Sequence, residues 1–158
     1  MSGTKGFFTD GQAYERLMGR WSRAAGATFI DWLSLPKGLN WLDVGCGTGA
    51  FTELVIDRCA PAQISAIDPS EDQIAYARSL PVSTRATFRV GDAQSVPFGN
   101  GEFDVATMAL VISFIPDAPK AVAEMRRVVK PNGTAGAYMW DSLGKGFVQQ
   151  PLAEPSMP

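Results

Sequence analysis

A doubly wound α/β fold is what this sequence predicts, on three observations. Short apolar strands alternate along the chain with segments of helical periodicity. One strand, Trp41 to Val44, runs straight into a loop with glycine at every second position, Gly45-Cys46-Gly47-Thr48-Gly49, and the periodicity then turns helical through Phe51, Leu54 and Val55. Aspartates stand near the ends of the strands. Strands alternating with helices imply right-handed crossovers and a parallel sheet. A length of 158 residues suits one domain with a single core.

The elements follow in order. Residues 10 to 34 read as helical, because Tyr14, Leu17, Met18 and Trp21 recur at helical spacing and Phe29, Ile30 and Leu33 repeat the pattern. Gly19 and Gly26 are expected to break this region into two helices. Leu39 to Val44 is the first strand, Ala50 to Arg58 a helix stopped before Pro61, and Gln63 to Ile67 a second strand ending at Asp68-Pro69. Ser70 starts the next helix with Gln73 three residues on, the spacing of a capping box. Ile74 and Ala77 are expected to face the core. Ala86 to Val90 is a third strand, ending at Gly91-Asp92, and Asn100-Gly101 a turn. Phe103 to Met108 is a fourth strand, nearly all apolar, as when both faces of a strand are covered. Asp117 caps a helix expected to carry Val122, Met125 and Val129 on one face and to stop at Pro131-Asn132-Gly133. Thr134 to Trp140 is a fifth strand.

Composition narrows the function. Fourteen basic against sixteen acidic side chains, with no basic run, leave no electrostatic footprint for nucleic acid. The longest apolar run, Val105 to Ile115, is too short to span a bilayer and reads as a buried strand with its loop. Cys46 and Cys59 form no metal-ligand spacing and no secreted framework, so reduced thiols in a cytoplasm are expected. The chain contains no histidine, which excludes Ser-His-Asp and Cys-His catalysis and histidine-bound metals within it.

In an open parallel sheet, ligands sit beyond the carboxyl ends of the strands. Asp43, Asp68, Asp92 and Asp141 fall near such ends. Asp68 follows the last loop glycine by 19 residues, about the spacing at which a carboxylate accepts from ribose hydroxyls. Glycines without Cβ are expected to let backbone N–H groups approach a ligand closely. The spacing Gly45-x-Gly47-x-Gly49 is not the Gly-x-Gly-x-x-Gly that cups a pyrophosphate. Asp43, two residues before the first glycine, would repel a pyrophosphate and suits a ligand carrying an amine or sulfonium. A nicotinamide-type oxidoreductase is therefore the weaker reading.

With these residues in place, the chain resembles the class I S-adenosylmethionine-dependent methyltransferases, in particular the small-molecule kind called type 11. The resemblance runs from about Tyr14 to Asp141. Leu42-Asp43-Val44-Gly45-Cys46-Gly47-Thr48-Gly49 is similar to the family's first motif almost residue for residue. Ala66-Ile67-Asp68-Pro69-Ser70, Val90-Gly91-Asp92-Ala93, Val96-Pro97-Phe98, Phe103-Asp104-Val105 and Glu124 to Gly133 match later segments.

The resemblance implies a Rossmann-like sheet of five parallel strands in order 3-2-1-4-5 with helices on both faces. It implies a cofactor-binding domain over residues 1–143, with 10–34 as a helical cap; 144–158, with Pro151, Pro155 and Pro158, reads as a poorly ordered tail. The antiparallel strand pair that the family adds after strand five is expected to be missing. Strand five is then a bare edge through which two copies could pair. S-adenosylmethionine is the implied cofactor and a small molecule the implied acceptor, with neither nucleic acid nor membrane as partner. Gly45, Cys46 and Gly47 would lie against the methionine part and ribose, and Asp43 would order the loop and favour the positive charge. Asp68, followed by Pro69, would take the ribose hydroxyls. Asp92 and Ala93 would meet the adenine. Met108 and Ala109 would offer carbonyls to the amine. Tyr14 and Arg20 would close over the site, Arg20 pairing with the carboxylate. No catalytic residue is implied; Asp141, near the expected acceptor mouth, is the candidate, against a reading as a strand-end turn residue. Ser113-Phe114 stands where many relatives carry histidines, so no base is assigned there.

Overall fold

The computed structural model describes residues 11–141, and for residues 11–18 and Arg20 it describes the helix backbone but not the side chains. Strands β1 (Asn40–Val44), β2 (Gln63–Asp68), β3 (Thr87–Val90), β4 (Phe103–Ala109) and β5 (Val129–Tyr138) form one parallel sheet in the order β3-β2-β1-β4-β5. This is the expected order. Strand succession runs one way from β1 to β3 and the other way from β4 to β5. The reversal lies between β1 and β4, and a crevice opens there at the carboxyl ends.

Alternation along the central strands feeds two cores. Trp41, Ile64, Ala66 and Val105 point to one face, where Phe29 of α1 (Gly11–Leu33), Phe51 and Leu54 of α2 (Ala50–Cys59), and Ile74 and Ala77 of α3 (Glu71–Ser79) cover them. Leu42, Val44, Ile67, Ala106 and Met108 point to the other, against Ala121, Met125 and Val128 of α4 (Ala118–Val128). Each fully buried side chain of this size contributes about 1.5–3 kcal/mol of transfer free energy. Ser70 Oγ accepts from the Gln73 amide at 3.3 Å and Asp117 Oδ1 from the Lys120 amide at 3.0 Å, so both expected caps form.

Three expectations are corrected. The first helical region is one helix, not two. Gly26 interrupts nothing; it is the point where α1 closes on α2, since a Cβ there would stand 2.9 Å from Leu54 Cδ2 and 3.1 Å from Phe51 Cδ2. Second, α4 ends at Val128, and the next residue already begins β5, so Pro131-Asn132-Gly133 lies inside that strand segment, at a register shift opposite Phe103–Val105. Third, the buried stripe of α4 is Ala121, Met125 and Val128; Val122 is exposed and Val129 has left the helix. The tail expected over 144–158 lies outside the described residues.

Arg127 of α4 ties the segment after β3 to the fold. Its guanidinium donates to the Val96 and Phe98 carbonyls and pairs with Glu124, whose carboxylate accepts from the Val96 amide. This fixes the chain that leaves Asp92 and Ala93.

Candidate cofactor and acceptor site

A cavity of about 560 Å³ opens at the carboxyl ends of the strands. Its floor is the loop between β1 and α2. Three glycines stand there at φ +76, +53 and +90, for different reasons. A Cβ on Gly45 would meet Val111 at 2.7 Å, and one on Gly49 would meet Phe88 at 2.9 Å. Only Gly47 faces open space, its nearest atom being Gln73 Oε1 at 3.9 Å. A side chain at Gly47 would therefore stand in the cavity itself.

The loop amides do not await a ligand, which corrects the expectation of free N–H groups. The Gly45 and Cys46 amides both donate to the Ile67 carbonyl, at 2.8 and 2.9 Å. The Gly47 amide donates to Asp68 Oδ2 at 2.9 Å, and the Gly49 amide to the Cys46 carbonyl at 2.9 Å. The loop folds back on the end of β2, and that end takes the Gly45, Cys46 and Gly47 amides. The Gly45, Cys46 and Gly47 amides therefore offer no cradle to a pyrophosphate; the nearby carboxylates suit a cation or a neutral sugar.

Asp68 ends β2. It accepts from Gly47 on one oxygen and from the Ser70 amide on the other, at 2.9 Å each, which holds its carboxylate between loop and α3 with lone pairs to spare. Asp92, just past β3, accepts from the Gln94 amide at 2.8 Å. Asp43 is fully buried beneath the loop. Thr52 Oγ1 donates to its Oδ2 at 2.7 Å, while Oδ1 has no hydrogen-bond partner. Burial pushes its carboxyl up to about 7, the Thr52 hydrogen bond opposes this, and the Asp68 charge adds to it. Burial and the Asp43 charge also push the Cys46 thiol far up, so it is no nucleophile.

The opposite wall comes from elsewhere. Leu110, at φ +61, is held by its amide's 2.9 Å bond to the Tyr138 carbonyl, and this left-handed turn presses Val111 onto Gly45. Phe114, Ile115 and Pro116 continue that wall, with Tyr138 of β5 and Ser22 and Arg23 of α1.

The structure thus brings Gly45, Cys46, Gly47, Asp68, Pro69, Asp92, Ala93 and Ala109 into one cavity lining. Asp43 lies under the loop rather than in the lining, and Met108 is buried in the core, so only its neighbour Ala109 reaches the cavity. Asp141 is exposed and is not part of the lining. The side chains of Tyr14 and Arg20 lie outside the described residues. Sequence reasoning missed Ser22, Arg23, Phe114 and Tyr138. The segment after β4 was findable, because it leaves the same sheet edge as the glycine loop; the α1 residues carry no such signal. Among the described residues, no three His, Cys, Asp or Glu side chains are placed to hold a metal, and no helix is long and apolar enough to cross a membrane.

A β3-β2-β1-β4-β5 parallel sheet, a three-glycine loop at its reversal and an aspartate ending the neighbouring strand define a class I S-adenosylmethionine-dependent methyltransferase domain. The chain belongs to the methyltransferase domain family, whose model matches residues 42–136. It is 32% identical to the ubiquinone/menaquinone biosynthesis C-methyltransferase UbiE of Paracoccus denitrificans, over 66% of this chain and 43% of that protein. It is 32% identical to the demethylmenaquinone methyltransferase of Desulfitobacterium hafniense, over 82% and 48%. Against the malonyl-[acyl-carrier protein] O-methyltransferase of Pectobacterium atrosepticum the identity is 30%, over 77% and 49%. The chain thus spans less than half the length of these relatives. Among solved structures it superposes on the [4+2]-cyclase SpnF with a TM-score of 0.67 at 30% identity, covering 78% of this chain and 48% of that one. A SAM-dependent methyltransferase from Aquifex aeolicus gives 0.65 at 22% identity, over 77% and 68%.

Proposed function

We propose that residues 1–143 act as one domain that binds S-adenosylmethionine in this cavity and transfers its methyl group to a small-molecule acceptor, in the cytoplasm. One observation carries the reading. The loop under the cavity commits its Gly45, Cys46 and Gly47 amides to the end of β2, leaves open space over Gly47, and borders the Asp68 carboxylate. Such a floor suits a sugar and a cationic sulfur, not a phosphate. When bound, the cofactor supplies a methyl group already activated on a sulfonium.

The chain's own residues then bind and align. Asp68 accepts from the ribose hydroxyls, with Pro69 beside it. Asp92 accepts from the adenine amino group, and the Ala93 amide donates to the ring. Gly45, Cys46 and Gly47 form the surface under the methionine part, and the Ala109 carbonyl accepts from its amine, with Met108 fixing that strand end from the core. Asp43 adds negative charge beneath. Tyr14 and Arg20 close the site from α1. No general base is needed where proximity and alignment lower the barrier, an effect that reaches about 7–11 kcal/mol in well-aligned systems.

Calorimetric titration with S-adenosylmethionine, S-adenosylhomocysteine and NAD tests the cofactor. The first two are expected to bind and NAD not; the reverse pattern defeats the proposal. Labelled S-adenosylmethionine incubated with a metabolite extract tests transfer. A neighbour in this fold is a [4+2]-cyclase, which favours keeping the two tests separate. Binding without any transfer would mark a non-methylating use of the cofactor.

β5 pairs only with β4 among the described residues, so its outer edge offers unpaired backbone groups. A second copy of the chain is the partner we propose for it. Sedimentation of the protein would show a dimer, and a monomer at all concentrations would end that proposal.

A further inference from the structure

The α1 end of the cavity differs in chemistry from the rest. Gly26 brings the α1 backbone against α2 and the end of β5, since a Cβ on it would lie 2.9 Å from Leu54 Cδ2 and 3.2 Å from Tyr138 Oη. One turn earlier, Ser22 and Arg23 line the cavity. This end is bounded by Tyr138 of β5 and by the start of α2, where Glu53 pairs with Arg23, whereas Asp68 ends β2. With β1 and β4 between them, the β5 strand that carries Tyr138 lies about 14 Å from β2 by strand spacing. A ligand whose sugar is on Asp68 and whose methionine arm runs along the β1 loop leaves this end free.

Arg23 is the only cation among the described residues of the lining. Among the described residues its one ionic contact is Glu53 Oε2 at 3.3 Å, between side chains 51% and 44% exposed, a pairing that solvent competes for readily. Next to it, Ser22 Oγ is buried without a hydrogen-bond partner, a state that calls for one. Between this polar corner and the methyl-transfer region the surfaces are apolar: Phe51, Leu54 and Phe114, the last 65% exposed at the rim.

Building on the methyltransferase reading of the cavity, we propose that this end is the acceptor subsite and that the acceptor is an apolar carboxylic acid. Its skeleton rests on Phe51, Leu54 and Phe114. Its carboxylate takes Arg23 from Glu53 and accepts from Ser22 Oγ. A single cation with one hydroxyl matches a monoanion; a phosphate monoester would need a second positive charge. Glu53, released, stays solvated at the surface.

The test is equilibrium binding to the S-adenosylhomocysteine-loaded protein of a panel of aromatic and aliphatic carboxylic acids, each beside its carboxamide. At least one acid is expected to bind tenfold or more tightly than its amide. Arg23→Gln is expected to erase that difference, and Ser22→Ala to weaken the acid several-fold. Three results overturn the proposal: no panel member binds, amides bind as well as acids, or the preference survives in Arg23→Gln. A tenfold loss of S-adenosylhomocysteine affinity in Arg23→Gln also overturns it, because Arg23 then serves the cofactor. Should S-adenosylhomocysteine not bind the unaltered protein at all, the cofactor reading fails separately. The acids are then measured on the ligand-free protein, where the Arg23-dependent preference stands or falls by itself.

Discussion

The two ends of the cavity are built by different rules. Asp68 and Asp92 close adjacent strands, in a parallel register that pairs Asp68 with Val90 just before the turn to Asp92. Their placement follows from strand length and sheet order alone. Ser22, Phe114 and Tyr138 come from a helix, a 3₁₀ turn and an edge strand, and meet only because Gly26 lets α1 settle on Leu54 and Phe51. The carboxylate end is written in local pattern; the α1 end is written in packing. Substitutions at the first should therefore act on the cofactor, and at the second on what the cofactor meets.

The largest expected effect is at Asp68. Asp68→Ala removes acceptors from the Gly47 and Ser70 amides as well as from the ribose proposed to rest on it. Hydrogen bonds to a charged group contribute about 1.5–3 kcal/mol each, so calorimetry should show affinity for S-adenosylmethionine lower by about 100-fold. Asp92, exposed and turned partly to Gln94, should matter less, by about tenfold in Asp92→Ala. Equal affinities in both variants would erase the contrast between the ends.

A finer division runs through the loop itself. Gly45→Ala places a Cβ at 2.7 Å from Val111 in a left-handed backbone, and should lower stability by about 1–3 kcal/mol in denaturant unfolding. Gly47→Ala meets nothing closer than 3.9 Å, so its cost in stability is the left-handed backbone alone, about 1–2 kcal/mol. It should nonetheless weaken the cofactor about tenfold, because the new methyl group stands in the cavity; lost stability with intact affinity would reverse these assignments.

Asp43 couples the ends of this argument to pH. Its carboxyl, about 7 when folded against an ordinary 3.8, binds a proton more readily folded than unfolded. Its contribution to stability is thus present below about pH 4 and lost as pH rises towards 7, by at most about 1.4 kcal/mol per pH unit. Melting temperatures between pH 5 and 8 should decline in the ligand-free protein and flatten in Asp43→Asn. A bound cation favours the ionised carboxylate. Affinity for S-adenosylmethionine should therefore rise with pH through this window more steeply than affinity for S-adenosylhomocysteine, whose sulfur is neutral. Parallel pH profiles would remove Asp43 from the charge balance of the site.

What the sequence disclosed follows the same division. Apolar strands, the glycine spacing and the strand-end aspartates are local patterns, and they placed the strands, the caps at Ser70 and Asp117, and Asp68 and Asp92 beside the loop, while the sheet order and the remaining lining residues followed from the family resemblance those patterns carry. Gly26 misled because a glycine in a helix carries the same letter whether it breaks the helix or admits a neighbour. The α4–β5 junction misled because proline, asparagine and glycine also accommodate a register shift within an edge strand. The amides of Gly45 and Cys46 looked available because nothing in the local pattern shows that the Ile67 carbonyl claims both.

The smallest expected effect isolates the α1 end. Arg23 and Glu53 are both about half exposed and 3.3 Å apart, so solvent screens most of their attraction, and Glu53→Gln should change stability by less than about 0.5 kcal/mol. The same substitution frees Arg23 from a competing carboxylate. If the α1 end receives an acid, its affinity should rise about two- to threefold, a gain of about 0.5 kcal/mol, while cofactor affinity stays level. Denaturant unfolding and acid binding on one preparation measure both. A stability loss above about 1 kcal/mol would show that the pair clamps α1 onto α2 and is no exchangeable contact. Weaker acid binding would show that Glu53 orients the guanidinium instead of competing for it.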